Sequence, residues 1–399
     1  MGRVLRTMSI RLYPSRAQTE RLDHLLFVGR VTFNRALESR IYWYKASGKT
    51  LSYYDQCSDL TELRRADCFW SDIPLEIQRD ALRRVDKAYK AFFRRVKTGK
   101  PGGFPRFKSQ NRWNTFTNNG CGNPVKGDRI RVSSVVGFIR CRNLRPISGK
   151  IIEQRIVRRA GKWFCQLVID GLTVPTDPVP IQSAIGIDVG LTSFATLSSG
   201  ESIQNPRFGR TLARKLSRAH RRVSRTKKGS RNRRKVVIRL QQVYLTIANA
   251  RLNFTHHVSK EIIKRHQLIA VENLNIAGMI RGRLAKSILD ACWAQFIWQL
   301  AYKAESAGCT FVRVDPNGTT QECSQCGKTV QKELSNRIHS CECGCVLDRD
   351  HNAAINVLRR GIQSSLHPAA VGGSVMPAEG PRVAPKKQEA PKSTTPRGV

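Results

Sequence analysis

Acidic residues are scarce in this chain, and over one long stretch they are missing altogether: from Ser202 to Lys260 there is no aspartate or glutamate. Over the whole chain 29 Asp and Glu stand against 70 Lys and Arg, a formal charge of +41. A surface charged only for solubility mixes both signs. An imbalance of this size repels itself unless a polyanion neutralises it, and nucleic acid meets that need better than an anionic membrane does. Long apolar runs are lacking as well. None approaches the roughly 20 residues of a membrane-spanning helix, and the first residues have no apolar segment of the secretory kind. Proline is absent between Pro206 and Pro316, which excludes frequent chain breaks and favours helices there. The 12 cysteines are sparse over most of the chain and clustered late. That distribution argues against a secreted disulfide framework and for metal ligation in a reducing compartment, so a cytoplasmic location is expected.

What is present points to a folded protein of two or three domains: 399 residues, 40% hydrophobic, with 15 Phe and 6 Trp. "MSIRLYPSRAQTERLDHLLF" begins as a strand, turns at Pro14 and continues with helical periodicity. In "EIQRDALRRVDKAYKAFFRRV", residues Ile77, Ala81, Ala88, Phe92 and Val96 fall near one helix face, and "TGKPGGFPRFKS" breaks the pattern. From Asn111 to Val174 arginines alternate with apolar residues, which predicts strands with one buried and one basic face. "VPTDPVPIQS" reads as the main linker. Beyond it, "AIGIDVGLTSFATL" predicts a strand, a glycine turn and a second strand. The acid-free stretch turns near Gly229 and predicts a helical hairpin, one face apolar (Val236, Leu240, Val243, Ile247, Phe254, Val258, Ile262) and one face for phosphates. Arg221, Arg222, Lys227 and Lys228 lie in this stretch as candidate nucleic-acid contacts. "QLIAVENL" and "TFVRVDP" read as further strands. The end of the chain is rich in Pro, Gly and Ser without periodicity, and is expected to be disordered.

Two constellations carry chemistry. Cys323 and Cys326 form a C-x-x-C knuckle followed by glycine, and Cys341, Cys343 and Cys345 follow after a short loop. Two short cysteine pairs around a small loop supply the four sulfurs of a structural zinc ribbon. The second pair can be chosen in three ways. The glycine after Cys343 repeats the Cys-Gly step of the first knuckle and favours Cys341 with Cys343, Cys345 being the rival ligand. Cys57, Cys68, Cys121, Cys141, Cys165, Cys292 and Cys309 are isolated and are expected to pack in cores. The second constellation is acidic. Asp188 ends the apolar run "AIGID" and Glu272 ends "LIAVE", so each sits at the end of a strand buried on both faces. A carboxylate there is costly unless a cation or several donors meet it. With Asp348 or Asp350 at a later helix start, three carboxylates from separate segments could hold two Mg²⁺ ions, an arrangement that cleaves phosphodiesters.

Taken together, "GIDVG", "VENL", the "CSQCG…CECG" ribbon and "DRDHNAAINV", with "RLYPSRAQ", "AYKAFF" and "GFPRFKS" towards the N-terminus, resemble the TnpB family of transposon-encoded RNA-guided nucleases, relatives of type V CRISPR effectors. The resemblance covers roughly residues 8–360. It implies an α+β multidomain chain: a β-barrel wedge domain (1–20 and 101–180) interrupted by a helical recognition lobe (21–100), then an RNase H-like, RuvC-type α/β nuclease domain (181–318 and 347–361) with an inserted zinc ribbon (319–346), and a disordered tail (362–399). It implies Asp188, Glu272 and Asp350 as the catalytic, magnesium-holding residues. It further implies a guide RNA from the transposon end, double-stranded DNA cut beside a short flanking motif, and a monomeric ribonucleoprotein in the prokaryotic nucleoid. A rough alignment offers Tyr53, Gln78 and Thr117 as readers of that motif. The second knuckle departs from the family's usual C-x-x-C. Helix geometry agrees on Asp350: its i+3, i+4, i+7 and i+8 neighbours Ala353, Ala354, Val357 and Leu358 are apolar, whereas Asp348 suits an N-cap, its corresponding neighbours His351, Asn352, Ile355 and Asn356 forming a mostly polar face. Rival readings are a guided repressor that no longer cuts and a guide-independent zinc-ribbon DNA-binding protein.

Overall fold

A computed structural model of the chain describes residues 3–119, 122–142, 144–173, 179–333 and 336–366. It divides into two compact units, residues 1–174 with 218–245, and residues 175–217 with 246–399. No described helix is long and apolar enough to cross a membrane.

The first unit opens with β1 (Arg3–Tyr13), α1 (Arg16–Ser47), α2 (Tyr53–Ala66), the short α3 (Cys68–Ser71) and α4 (Leu75–Lys97). Ser15 and Gln18 start α1 with a reciprocal capping box, and Ser52 with Asp55 does the same for α2. Then come β2 (Thr115–Thr117), β3 (Val125–Lys126), β4 (Arg129–Ser133), β5 (Gly137–Cys141), β6 (Lys150–Arg159) and β7 (Lys162–Thr173). With β1 they form one antiparallel sheet in the order β2-β6-β7-β1-β5-β4-β3. Among the described residues β2 and β3 are its edges, so the sheet is open where a closed barrel was expected. Strand alternation behaves as the sequence suggests: Ile130, Val132, Ile139 and Ile156 are buried while Arg129, Arg131 and Arg140 are exposed. The buried face shares one core with Leu22, Leu25 and Leu37 of α1 and Ile77 and Val85 of α4. The apolar stripe of α4 is buried only at its start; Val96 at its end is 55% exposed.

The second unit contains β8 (Ala184–Val189), β9 (Ser193–Leu197), β10 (Ser202–Gln204) and α5 (Phe208–Thr211). The helices α6 (Ala213–Ser224) and α7 (Arg231–Arg265) contribute to both units. After them come β11 (Leu268–Glu272), α8 (Ile276–Met279), α9 (Ala285–Ala291), α10 (Trp293–Ala307), β12 (Thr310–Val314), β13 (Ile338–Ser340), β14 (Val346–Asp348) and α11 (Arg349–Leu366). The sheet order is β10-β9-β8-β11-β12, with β8, β11 and β12 parallel and β9 and β10 antiparallel. Two expectations shift. Residues 218–245, the tip of the basic hairpin, group with the first unit, where Gln242 donates to the Ala160 carbonyl at 3.3 Å. And α11 continues to Leu366, past the expected start of the tail, while residues 367–399 lie outside the described residues.

Period-two alternation decides which face of this sheet does what. Ile185, Ile187, Ile269 and Val271 point to a core with Phe296, Ile297 and Leu300 of α10 and Ile262 of α7. The alternate positions, Gly186 on β8 and Leu268 and Ala270 on β11, face α11. The approach is close. A Cβ on Gly186 would lie 2.2 Å from the Ala354 carbonyl oxygen and 2.6 Å from the Leu358 nitrogen, and one on Gly361 would lie 2.4 Å from the Ala270 Cβ. A glycine inside a strand is thus required by the neighbouring helix backbone. Ordinarily, replacing glycine in a strand by alanine gains stability. Here Gly186→Ala is expected to cost about 1–3 kcal/mol through overpacking, measurable by chemical denaturation. An unchanged or raised stability would show that α11 does not sit this close.

Candidate active site

Asp188 and Glu272 belong to the same alternation as Gly186 and Ala270, so both emerge on the face that α11 covers. The parallel register pairs Ile187 with Val271, which sets the two acids side by side at the C-terminal strand ends, where open α/β sheets bind ligands. Asp350 lies in the first turn of α11. Its apolar neighbours Ala353, Ala354 and Val357 are fully buried against the sheet, which turns the same helix face, and Asp350 with it, towards the strand ends. Asp348 caps the helix: its Oδ1 accepts from the backbone N–H of Asp350 at 2.9 Å and of His351 at 3.2 Å. The structure thus gives the two aspartates different tasks.

The carboxylates feel one another. Burial pushes the Asp188 carboxyl well above the usual carboxylate range, and the charges of Glu272, Asp350 and Asp348 push it further, against the pull of Arg349. Burial raises Glu272 too, moderated by a hydrogen bond from Thr319 and by the charge of Arg360. Asp350 has two cationic neighbours, Arg349 Nε at 3.3 Å and Arg337 Nη1 at 3.7 Å. Among the described residues, the ligand groups whose atoms all lie within 4.8 Å of one another are both in the ribbon; the three carboxylates are not drawn that tightly together. A pair of cations would bridge this looser spacing.

The ribbon brings together the sulfurs of Cys323, Cys326, Cys341 and Cys343 within 4.8 Å. Cys323 and Cys343 approach to 3.7 Å and Cys326 and Cys341 to 3.5 Å. Burial alone would raise the Cys323 thiol. The backbone N–H groups of Cys326 and Gln325, with His339 and Cys343, outweigh it and bring the thiol down to about 5. Cys343 is pushed up to about 12: a hydrogen bond from the Cys345 backbone pulls it down, but burial and the surrounding thiols prevail. So dense a set of thiols ionises fully only around a cation, which is the chemistry of a thiolate metal site. Cys345 is buried beside this set, and forms a second group with Cys323 and His339.

The structure also shows what sequence reasoning missed. Asn352 and Asn356, read as part of a polar helix face, are completely buried. Asn352 accepts from the Ser324 N–H and donates to the Glu322 carbonyl, and Asn356 donates to the carbonyls of Thr319 and Glu322. They clamp the base of the ribbon onto α11. Gln78 is fully buried; its amide oxygen accepts from Arg64 and its nitrogen donates to the Trp70 carbonyl, so no edge remains to read a base. Thr117 is 7% exposed and Tyr53 packs against the helical core, whereas its neighbour Tyr54 is 78% exposed. Of the isolated cysteines, Cys141 and Cys165 are buried, Cys57, Cys292 and Cys309 are half-buried, and Cys68 is exposed, against expectation. Cys121 lies outside the described residues. Arg221, Arg222, Lys227 and Lys228 are exposed or nearly so on the hairpin.

Three comparisons bear on these features. Residues 166–283 match the family OrfB_IS605, described as "Probable transposase", and residues 293–357 match "Cas12f1-like, TNB domain". Residues 1–49 match a family described as "Helix-turn-helix domain", although here they form β1 and one continuous helix. A Streptomyces pristinaespiralis protein named "Putative RNA-guided DNA endonuclease" is 30% identical over 388 residues, covering 94% of this chain and 93% of its own. InsQ of Escherichia coli (strain K12), similarly named, is 30% identical over 381 residues, covering 90% and 92%. A chain from the cryo-EM structure of a Cas12f1–sgRNA–target DNA complex shares the fold with a TM-score of 0.55 at 13% identity, covering 89% of this chain and 98% of that one.

The crowding of buried carboxylates generates a stability prediction. In metal-free protein, Asp188 has a folded-state pKa raised above its unfolded value. Its contribution is therefore fully present below the ordinary carboxylate range and is lost as pH rises through the raised value. Asp350→Asn relieves part of the repulsion, so its metal-free melting temperature should equal or exceed that of the wild type at pH 7. Asp348→Ala removes the cap and should cost about 0.5–2 kcal/mol. Calorimetry in the presence of a chelator checks both, and a clearly less stable Asp350→Asn would contradict the assignment.

Proposed function

The chain belongs to the TnpB family, and from that premise we propose that it is a transposon-encoded, RNA-guided endonuclease that cuts double-stranded DNA beside a short flanking motif. One observation carries the catalytic part: buried Asp188 and Glu272 and half-buried Asp350 come from three separate segments to the α11-covered face at the strand ends, where burial and the other two acids raise the Asp188 carboxyl. That donor set fits hard divalent cations, with Mg²⁺ the physiological choice. When bound, a pair of such ions would supply an activated water and stabilise the leaving oxygen of a phosphodiester. The chain's own residues do the rest. The three carboxylates would hold the cations, the buried strands keep Asp188 and Glu272 short of water, and Arg337, 54% exposed beside Asp350, adds positive charge where a phosphate would arrive.

The four-sulfur set fits one structural Zn²⁺, with Cys323, Cys326, Cys341 and Cys343 as ligands. The exposed arginines on the first unit's strands and on the acid-free hairpin supply charge for a guide RNA and its heteroduplex, while base pairing supplies sequence choice. In the family's terms the proposal reads the chain as a wedge domain, a recognition lobe and a RuvC-type domain with an inserted ribbon, and a monomeric ribonucleoprotein is the expected assembly.

The test combines purified protein, RNA transcribed from the transposon end, and a matched DNA duplex carrying the flanking sequence. Asp188→Ala, Glu272→Ala and Asp350→Asn should each abolish cutting while gel-shift affinity for the target stays within about threefold, because binding rests on remote phosphate contacts. Cutting at a near wild-type rate by any of the three would remove that residue from the site. Metal analysis should find one zinc per chain, lost in Cys326→Ser and retained in Cys345→Ser. Zinc lost from Cys345→Ser would show that the second knuckle uses the other thiol.

A further inference from the structure

Glu272 differs from the other two acids in what holds it. Thr319 Oγ1 donates to Glu272 Oε1 at 2.6 Å, and among the described residues this is the only hydrogen bond to that carboxylate. Thr319 is 1% exposed, so water does not compete for the bond. The threonine is itself held. Its carbonyl accepts from Asn356 Nδ2 at 2.9 Å, and the same amide nitrogen donates to the Glu322 carbonyl at 2.6 Å. The Glu322 carboxylate in turn accepts from Arg359 and, at 2.9 Å, from Arg360. Two residues further on, the Ser324 N–H donates to Asn352 Oδ1 at 2.9 Å, between the two cysteines of the first knuckle. Residues 319–324 are thus fastened to α11 along their length, and they run from the Glu272 hydroxyl partner directly into the ribbon.

We propose that Thr319 is a positioning residue for the nuclease site: by occupying Oε1 it fixes the Glu272 carboxylate so that Oε2 alone is presented to a divalent cation, with the ribbon base as its mount. The inference rests on the reading of Asp188, Glu272 and Asp350 as the cation-holding set. Its chemistry is that of an outer partner that orients a ligating carboxylate, whose loss ordinarily costs 10–100-fold in metal affinity or activity. A hydroxyl is the right donor here. It satisfies a buried anionic oxygen without adding a charge that would compete with the cation. A freely rotating carboxylate could turn both oxygens to one ion and leave its neighbour short of a ligand. The ribbon thereby acquires a task at the active site besides its own fold: it places the group that orients Glu272.

The experiment measures Mn²⁺ binding by electron paramagnetic resonance on the protein–guide RNA complex without target, alongside cleavage rates and melting temperature. Thr319→Val keeps the side-chain shape and deletes the donor; Thr319→Ala is the second variant should the valine fold poorly. Both should weaken Mn²⁺ binding and slow saturated cleavage by about 10–100-fold, and higher Mn²⁺ should recover part of the rate. Thr319→Ser, which keeps the hydroxyl, should stay within about threefold of wild type in both readouts. A Thr319→Val protein with wild-type Mn²⁺ affinity, whatever its melting temperature, overturns the inference, as does a serine variant no better than valine. A wild-type protein that binds no Mn²⁺ would instead overturn the cation-site reading beneath it, so the two failures are distinct.

Discussion

The contact on which the second unit depends is the seating of α11 against the parallel strands, which at Gly186 leaves nothing between the backbones. Gly186 leaves so little space that the Ala354 carbonyl occupies the place of its missing side chain. Everything chemical in the unit is referred to this helix. Its first turn carries Asp350, its buried alanines and Val357 close one face of the sheet, and Asn352 and Asn356 carry the ribbon. Bringing the helix this near is what sets Asp350 beside acids on strands far away in sequence. A helix spaced from the sheet by side chains at this point would place its first turn further from the strand ends.

Around that contact the electrostatics run opposite to the rest of the molecule. The chain carries +41 overall, yet at these strand ends two buried acids, Asp188 and Glu272, sit next to one another. Neighbouring carboxylates out of water raise each other's pKa and oppose folding. Such an arrangement persists when it serves a purpose other than stability, and a site for divalent cations is the purpose that chemistry offers. The ribbon repeats the principle with sulfur: thiols too crowded to ionise together, one lowered to about 5 and another raised to about 12. Both clusters are stores of unfavourable charge that a cation would resolve, and both hang on the same helix.

Legibility differed from residue to residue for physical reasons. Asp188 and Glu272 stand out because each ends a continuous apolar run, a pattern that suits a strand buried on both faces. Asp350 was separable from Asp348 because helical periodicity projects an apolar stripe from one and not from the other. Asn352 and Asn356 misled, since a buried amide that ties down a loop looks the same in sequence as an exposed one. Gln78 misled in the other direction: an alignment can suggest a base reader, but cannot show that Arg64 and the Trp70 carbonyl already use both ends of its amide. Thr319 carried no signal beyond lying shortly before the first knuckle.

The sequence by itself determined the sign of the partner, through charge; the existence of the ribbon, through cysteine spacing; the strands with acids at their ends, through apolar runs; and Asp348 as the cap of the last helix, through helical period. Each of these is local or compositional, so neighbours along the chain suffice to express it. Only the tertiary structure decided that the basic hairpin's tip groups with the first unit, that the first sheet is open among the described residues, and that two asparagines and a threonine join the ribbon to α11 and Glu272. Those depend on which surfaces meet across long separations in sequence, and hydrogen-bonding side chains leave no periodic trace from which such meetings could be read.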